Sequence, residues 1–375
     1  MSADGARARA CAAALLGLPG MTPVRCAALL DGMGPPVAWS AVRAGTHPGD
    51  RARRFTAAAR VVDPELVARR YHEVGADVLL PGSRGYPAAL VGDPGAPAVL
   101  CALGDATVLE ARPAVALVGT RSATPYGAKV ASELGRDLAG AGVVVVSGLA
   151  RGIDAAAHSG ALAAGPGAAP PVAVVGTGLD VHYPEEHRTL WERVAGAGAV
   201  LSESPLRTGP LPRVFPARNR IIAGLSDVVV VVESLRDGGS LYTAEAAARR
   251  AIPVCAVPGS VHSRASAGTN GLLVDGCAPV RDAADVLAAV ALARQGKGMA
   301  APAPGRGASP RPDRLRTGPA DRVERSVWES VDDTPTTVGT VLLRTGLSLS
   351  ALTAAGEALV ARGELTAGAG WWTRT

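Results

Sequence analysis

Aromatic residues and cysteines are scarce in this chain, and their scarcity excludes several classes of protein. Aromatic side chains make up 3% of the 375 residues whereas hydrophobic residues make up 48%, so the core must be mainly aliphatic. The five cysteines are scattered and form no Cys-x-x-Cys pair, which argues against a disulfide framework and against a zinc site. This cysteine usage is typical of a reducing compartment, and we therefore expect a cytoplasmic protein.

Long apolar runs and the common catalytic fingerprints are also missing. No run reaches the roughly 18–20 apolar residues of a membrane span, and the N-terminal alanines are interrupted by charges, unlike a signal peptide. The sequence has no P-loop, no Gly-x-Ser-x-Gly and no His-Glu-x-x-His, and the dinucleotide fingerprint is incomplete at Gly119 and Gly176. We expect no membrane association, no enzymatic activity, no cofactor and no metal.

The central part of the chain, residues 113–290, alternates between apolar runs and helical stretches. This alternation predicts βαβ units and a Rossmann-like, mostly parallel α/β sheet. Val228–Val232 is an uninterrupted valine run, as expected of a strand covered on both faces. The predicted strands are Ala114–Val118, Val143–Ser147, Val172–Val175, Ala199–Ser202, Val228–Glu233 and Val254–Val257.

Four further segments flank this central domain. Residues 1–75 read as a helical domain, in which the turn Gly17–Pro23 resembles a helix-hairpin-helix or SAM-like unit, with a plain helical hairpin as the alternative. Residues 76–112 extend the central domain, and residues 291–320, rich in Pro, Gly and Arg, read as a flexible linker. Residues 321–375 resemble a small winged-helix-like domain, for which DNA reading and protein docking are both open.

Glycine-rich loops follow successive predicted strands, at the sheet edge where α/β folds bind ligands. The first loop carries Gly119, Arg121 and Ser122 just before a helix, whose free N–H groups and positive dipole favour a phosphate. The second carries Gly148, Arg151 and Gly152, in which the glycines permit close backbone approach. The sequence therefore predicts anion binding along this edge.

Asp154 and His158 follow the second loop and share a helix face, being four residues apart. They could be an acid–base or metal-ligating pair. Alternatively, Asp154 caps the helix and His158 satisfies a buried polar group. We favour this structural alternative.

Arginines and hydroxyls complete the predicted groove. Arg218 and Arg220 flank Asn219 and, with Arg121 and Arg151, could form a rim of four arginines, unless each is paired with Glu203 or Glu233. Ser240 and Thr243 open a helix after the fifth strand and suit a phosphate. Loops of this kind without a general base suggest a groove for an extended phosphate ligand, with Tyr126, Tyr183 and Tyr242 as candidate base-stacking residues.

Six segments in order resemble the DNA-processing protein A family. They are VGTRSATPYG, SGLARGIDAAAHSGAL, AVVGTGLDVHYPEEH, FPARNRIIAGLS, VVVVESLRDGGSLYTA and VPGS followed by GTNGLL. The resemblance implies a homodimeric protein without an established catalytic step, which binds single-stranded DNA and helps load the recombinase RecA in natural transformation. The DNA contacts that the resemblance implies are Gly119, Arg121, Ser122, Gly148, Arg151, Gly152, Arg218, Arg220, Ser240 and Thr243.

The sequence departs from the family pattern in two places. His187 stands where the family usually has Asn, and Asp237-Gly238 replaces a more usual Arg-Ser or Lys-Ser. The second change removes a cation beside the groove.

Two other functional classes remain open at this point. One class is a nucleoside-monophosphate phosphoribohydrolase of Rossmann-like fold, which carries the motif GGxGTxxE. Residues 238–245 of this chain read GGSLYTAE and place Glu245 at the matching offset. They lack the second-position glycine of the motif, however, and Thr243 is displaced by one position. An adaptor, in which the winged-helix-like end docks a protein, is the third class. Turnover of a nucleoside monophosphate would favour the enzyme, and salt-sensitive binding of long single strands would favour the DNA role.

Overall fold

The computed structural model describes residues 3–50, 52–110, 112–212, 214–298, 321–331, 336–368 and 371–374. The chain divides into two compact units, one of residues Met1–Leu273 with Cys277–Met299 and the other of residues Val274–Gly276 with Ala300–Thr375. The division into five segments predicted from the sequence stays a prediction. Within the described residues, every helix is too short or too polar to cross a membrane.

The first unit begins with a helical region that packs on one face of the sheet. Thr22 caps the second helix by accepting from the Arg25 amide, and Pro23 occupies its first turn. Leu15, Trp39 and Val42 are buried between the helices. These helices are α1 (Ala3–Leu16), α2 (Pro23–Leu30), α3 (Pro35–Ala44), α4 (Thr56–Val61) and α5 (Pro64–Glu73).

A sheet forms the centre of the first unit, and nine strands of it lie in the described residues. The strands are β1 (Ala76–Leu79), β2 (Leu100–Gly104), β3 (Ala114–Val118), β4 (Val144–Ser147), β5 (Val172–Val175), β6 (Ala199–Ser202), β7 (Val228–Val231), β8 (Val254–Ala256) and β9 (Ala278–Pro279). Their order is β1-β2-β6-β5-β4-β3-β7-β8-β9, in which β1/β2 and β2/β6 are antiparallel and the other pairs parallel. The predicted Rossmann-like, mostly parallel sheet is confirmed.

The strand order places a switch point between β3 and β7. From β3 the chain proceeds to β4, β5 and β6 on one side and then returns to β7 on the other. Val118 pairs with Val231 across the two strands, so the loops after them leave the sheet side by side and diverge. A crevice at such a point is where open α/β sheets bind ligands.

Helices cover both faces of the sheet because the parallel strands are apolar on both sides. All five residues of β3 and all four of β7 are buried. The helices are α6 (Pro125–Gly140), α7 (Ile153–Ala163), α8 (Arg188–Ala197), α9 (Val214–Gly224), α10 (Leu241–Ala248), α11 (Ala267–Val274) and α12 (Ala283–Gly298).

Helix α12 continues into the segment predicted as a linker. Its sequence is rich in Ala, Val and Leu, which are compatible with a helix, and Arg294 forms an ion pair with Asp227 at 3.3 Å. The linker prediction is therefore wrong for residues 291–298. Residues 299–320 lie outside the described residues.

The described part of the second unit combines helices with a small antiparallel sheet, as expected of a winged-helix-like domain. Val327, Val341, Leu352 and Leu359 form its core together with Trp372. Its elements are α13 (Arg322–Ser330), β10 (Thr336–Thr337), α14 (Val338–Thr345), α15 (Leu349–Ala361), β11 (Leu365–Gly368) and β12 (Trp371–Arg374), with strand order β10-β12-β11.

Candidate functional site

A groove of about 620 Å³ lies at the carboxyl ends of β3 and β7, at the switch point. A smaller pocket adjoins it on the side of β4 and β5 and shares Arg121, Ala150, Tyr183, Phe215 and Arg218 with it. The sequence thus correctly indicated the sheet edge on which the loops converge. The residues that line the two cavities come mainly from α9 and from the loops after β3, β4, β5, β6 and β7.

An arginine and two aromatic rings form a cluster on the wall shared by the two cavities. The guanidinium Cζ of Arg121 lies 4.6 Å from the ring centroid of Phe215, at a distance typical of a cation–π contact. The Tyr183 and Phe215 ring centroids are 5.7 Å apart. We call Arg121, Tyr183 and Phe215 the aromatic cluster.

Sequence reasoning missed Phe215. A signal was present, because the chain has only two phenylalanines and this one immediately precedes Pro-Ala-Arg-Asn-Arg. Of the predicted stacking residues, Tyr183 and Tyr242 line the groove. Tyr126 is not among the lining residues, and its hydroxyl donates to the Pro258 carbonyl at 2.9 Å.

Arg218 is a buried cation that lines both cavities. Only 7% of its side chain is exposed, Asp154 lies 3.9 Å from its Nη1, and its Nε has no hydrogen-bond partner. Burial lowers the pKa of Arg218 and raises the pKa of Asp154. A β-carbon on Gly148 would overlap the Arg218 guanidinium, so the glycine is required for this packing.

The second loop is held in place from outside by Glu186 and His187. Arg151 forms an ion pair with Glu186, and its hydrogen bond lowers the pKa of Glu186 to about 2. The Nδ1 of His187 donates to the Leu149 carbonyl at 3.1 Å, and Leu149 has a left-handed backbone with φ of 53°. His187, the first departure from the family pattern, therefore supports a strained turn.

Glycine at position 152 brings the first two loops together. Its φ is 73°, and a β-carbon would lie 2.4 Å from the Thr120 carbonyl oxygen. Gly119 packs as closely, because a β-carbon there would lie 2.4 Å from a side-chain carbon of Ile153. Both glycines serve contacts between loops as well as access to the groove.

Arg220 does not belong to the predicted rim. It lies two residues after Arg218 on α9, about 200° around the helix, and therefore faces another direction. Its Nη2 donates to Glu203 at 2.6 Å, and burial raises the pKa of that carboxyl. The structure brings together Arg121, Arg151 and Arg218, and the predicted rim of four arginines is wrong for Arg220.

The predicted hydroxyl residues divide into two groups. Ser240 and Thr243 are buried and line the groove, and Ser240 donates to the Ser234 hydroxyl at 2.9 Å. Ser122 is exposed and lines neither cavity. Asp237, from the second family departure, lines the groove.

The N-terminus of α6, predicted to take a phosphate, is filled by a carboxylate of the chain. Glu233, two residues after β7, accepts from the Thr124 amide at 2.9 Å and from the Thr124 hydroxyl at 2.6 Å. Thr124 is the N-cap of α6. The sequence prediction of a phosphate at this helix end is therefore wrong, because Glu233 already supplies the negative charge.

Asp154 and His158 do not form an acid–base pair in the groove. Asp154 lines the groove and accepts from the Gly148 amide at 3.1 Å, whereas Gly152 is the N-cap of α7. His158 is fully buried beside the backbone of Ser147, and burial lowers its pKa to about 3. The favoured structural alternative is therefore wrong for Asp154, which does not cap α7, whereas His158 is buried as that alternative expects.

Glu245, the residue that suggested a phosphoribohydrolase, lies outside both cavities. It forms an ion pair with Arg249 at 2.5 Å and is 55% exposed. Among the described residues, no group of three or more His, Cys, Asp and Glu side chains is placed to hold a metal ion.

The fold and the site define a Rossmann-like α/β protein with a cationic, aromatic-lined groove at its switch point. The family model described as DNA recombination-mediator protein A matches residues 77–291, which is more than half of the chain. The chain belongs to this family.

Individual relatives agree with this assignment. The DNA processing protein DprA of Bacillus subtilis is 37% identical over 223 residues, covering 60% of this chain and 74% of the relative. The X-ray structure of DprA from Streptococcus pneumoniae matches with a TM-score of 0.64 and 34% identity, covering 73% of this chain and 95% of that one. The structure of DprA from Helicobacter pylori, described in terms of its single-stranded DNA binding mode, matches with a TM-score of 0.50 and 29% identity. The match covers 59% of this chain and 96% of that one.

Proposed function

We propose that the groove binds single-stranded DNA, with phosphates on the arginines and bases on the aromatic cluster. The observation that carries this proposal is the guanidinium of Arg121 over the ring of Phe215, next to the buried Arg218. Sequence-independent binding of single strands combines cations that follow the backbone with rings on which bases stack. The groove offers both on one wall.

Unpaired strands fit the groove better than a duplex does. A base can stack on Phe215, Tyr183 or Tyr242 only when it is not enclosed in a double helix. The side-chain amide of Asn219, a potential base-reading group, donates to the Gly239 carbonyl at 3.3 Å. The structure of the related Helicobacter pylori protein is described in terms of a single-stranded DNA binding mode.

The predicted contact residues take different roles in this proposal. Arg121, Arg151 and Arg218 bind phosphates, and Ser240 and Thr243 also line the groove. Gly119, Gly148 and Gly152 shape the loops that bear the arginines. Arg220 and Ser122 do not contact DNA directly in this proposal, because Arg220 is paired with Glu203 and Ser122 lines neither cavity.

In the cell, we propose that the protein protects incoming single strands and helps load RecA in transformation and recombination. This role is supported by family membership and by relatives named as DNA processing proteins. A homodimer in the cytoplasm, acting without catalytic turnover, completes the proposal.

Fluorescence anisotropy tests the binding step. Labelled oligo-dT and its duplex are titrated with the full chain over a salt series, using wild type, Arg121→Ala and the double variant with Phe215→Ala. Arg136→Ala is the matched control, because Arg136 is an exposed arginine paired with Asp137 outside the groove. We expect a single-strand preference that the groove variants lose and the control retains.

Two outcomes would contradict the proposal. Equal affinity for duplex and single strand would show that the aromatic cluster does not stack bases. Unchanged binding by the groove variants would show that DNA binds elsewhere on the chain. RecA loading is tested separately, by the rate of RecA filament formation on strands covered with single-strand-binding protein. No acceleration by the wild-type chain would reject loading while leaving DNA binding intact.

A further inference from the structure

The carboxylate of Glu233 is placed as a bound anion would be at the N-terminus of a long helix. The side chain is 1% exposed, and its two oxygens accept separately from the amide and the hydroxyl of Thr124. The Thr124 hydroxyl in turn accepts from the Gly127 amide at 3.1 Å. The first turn of the 16-residue α6 is thereby tied to the end of β7.

This position corresponds to the phosphate site of nucleotide-binding α/β folds. In those folds the turn after a central strand leads into a helix whose N–H groups and dipole bind a phosphate. Here β3 leads into α6 in the same way, beside the switch point. Gly127 leaves the space for the anion, because a β-carbon there would lie 2.2 Å from the Glu233 Oε2.

We propose that Glu233 is a specificity-determining residue that occupies this phosphate site and excludes free nucleotides and inorganic phosphate from it. A phosphate that entered this position would be repelled by the negative charge of the buried Glu233 carboxylate. The Glu233 side chain also fills the space that the phosphate would need. Removing the carboxylate would open an anion site between Thr124 and Gly127. The inference concerns single phosphates and does not depend on the binding of single-stranded DNA.

If Glu233 closes this site, the anion-binding groups beside the groove fall into an inner layer and an outer layer. The inner layer, at the α6 N-terminus, is closed by the chain itself. The outer layer consists of Arg121, Arg151 and Arg218, which line the groove and the adjoining pocket. Several cations in a row favour a ligand with several linked phosphates over one with a single phosphate.

Anion rescue of Glu233→Ala tests the proposal. The variant leaves the Thr124 donors without their acceptor, and phosphate or AMP should replace it. Asp50→Ala is the matched control, because Asp50 is also a buried carboxylate that accepts from two backbone amides, those of Arg54 and Phe55. At constant ionic strength, 50 mM phosphate should raise the Tm of Glu233→Ala by about 2–4 °C more than that of Asp50→Ala or wild type.

A second variant locates the bound anion. Adding Gly127→Ala to Glu233→Ala places a methyl group in the space vacated by the carboxylate, and we expect it to abolish the rescue. Phosphorus NMR should likewise show AMP bound by Glu233→Ala and not by wild type. If Glu233→Ala is unfolded in chloride, phosphate should restore its circular dichroism while leaving Asp50→Ala unchanged.

The proposal is overturned if phosphate stabilises Glu233→Ala no more than the control, or if wild type binds AMP as well as the variant does. These results are independent of oligo-dT binding. Failure here therefore leaves the proposed function standing, and failure of oligo-dT binding leaves this inference standing.

Discussion

The guanidinium of Arg121 lies over the ring of Phe215, with Cζ 4.6 Å from the ring centroid. Arg121 lies in the loop after β3 and Phe215 in the first turn of α9, 94 positions apart in sequence. In the proposed function, this contact joins a cation for the DNA backbone to a surface for a base.

Replacing Phe215 by Ala should weaken oligo-dT binding by about 5- to 150-fold, since stacking of one base on an aromatic ring contributes about 1–3 kcal/mol. The loss should appear at all salt concentrations, because stacking releases no counterions. Anisotropy at several salt concentrations measures it. Tyr126→Ala is the control, since Tyr126 is 49% exposed but lies outside both cavities. An equal loss in this control would show that Phe215 has no special role.

Replacing Glu186 by Gln should strengthen oligo-dT binding at low salt. The change frees Arg151 from its ion pair, and the gain should be about 2- to 5-fold, the size expected for an exposed pair. It should fade in high salt as phosphates and counterions compete. Glu185→Gln is the neighbouring control, because Glu185 is 86% exposed and lies 3.9 Å from Arg188. The same gain in both variants would indicate a general charge effect.

Replacing Arg220 by Ala should reduce stability more than DNA affinity. Glu203 would remain buried without its partner, at a cost of about 2–3 kcal/mol in the free energy of unfolding. Because burial already raises the pKa of Glu203, loss of Arg220 should raise it further, and the deficit should shrink as acid protonates the carboxyl. Urea unfolding at pH 7.5 and pH 5 measures this deficit.

The double variant Arg220→Ala with Glu203→Gln should recover part of the lost stability, because the buried charge is gone. A folded Arg220→Ala chain that loses oligo-dT affinity as strongly as Arg121→Ala would contradict the assignment of Arg220 to a supporting role.

His158 should make the folded state sensitive to acid. Its pKa is lowered to about 3 by burial, so below the ordinary pKa of 6.5 the unfolded chain takes up a proton that the folded chain does not. Stability should therefore fall as pH decreases from 6.5 toward 3, by about 2 kcal/mol at pH 5 for this residue.

His158→Leu should flatten the pH dependence of the urea midpoint between pH 7.5 and pH 5. Arg218 and His187 also disfavour its protonation, and they remain in the variant. His262→Leu is the control, because His262 is exposed. An unchanged slope in His158→Leu would show that other groups govern the acid sensitivity.

The sheet and its functional edge could be predicted from the sequence because they depend on local apolar patterns. The runs Ala114–Val118 and Val172–Val175 are strands with the predicted bounds. A strand buried on both faces must be apolar throughout, and parallel strands must end at a common edge. The positions of the loops bearing Arg121, Arg151 and Ser240 follow from that.

The partners of individual side chains could not be predicted in the same way. Nothing local in the sequence indicates that Arg220 meets Glu203, or that Phe215 meets Arg121. Arg218 and Arg220 are only two residues apart on α9 but face different directions. Only the packing of the helix shows which of them faces the groove. Phe215 is one of only two phenylalanines, but composition alone does not indicate what its ring contacts.

The sequence by itself determined the class of fold, the edge that carries the site and the residue types available there. The tertiary structure decided which charges remain for a ligand and which are satisfied within the chain. Strand order brought Glu233 to the start of α6, so the helix end predicted to bind phosphate is already neutralised. The physical reason is that strand formation is local, whereas the pairing of charges depends on which distant segments become neighbours.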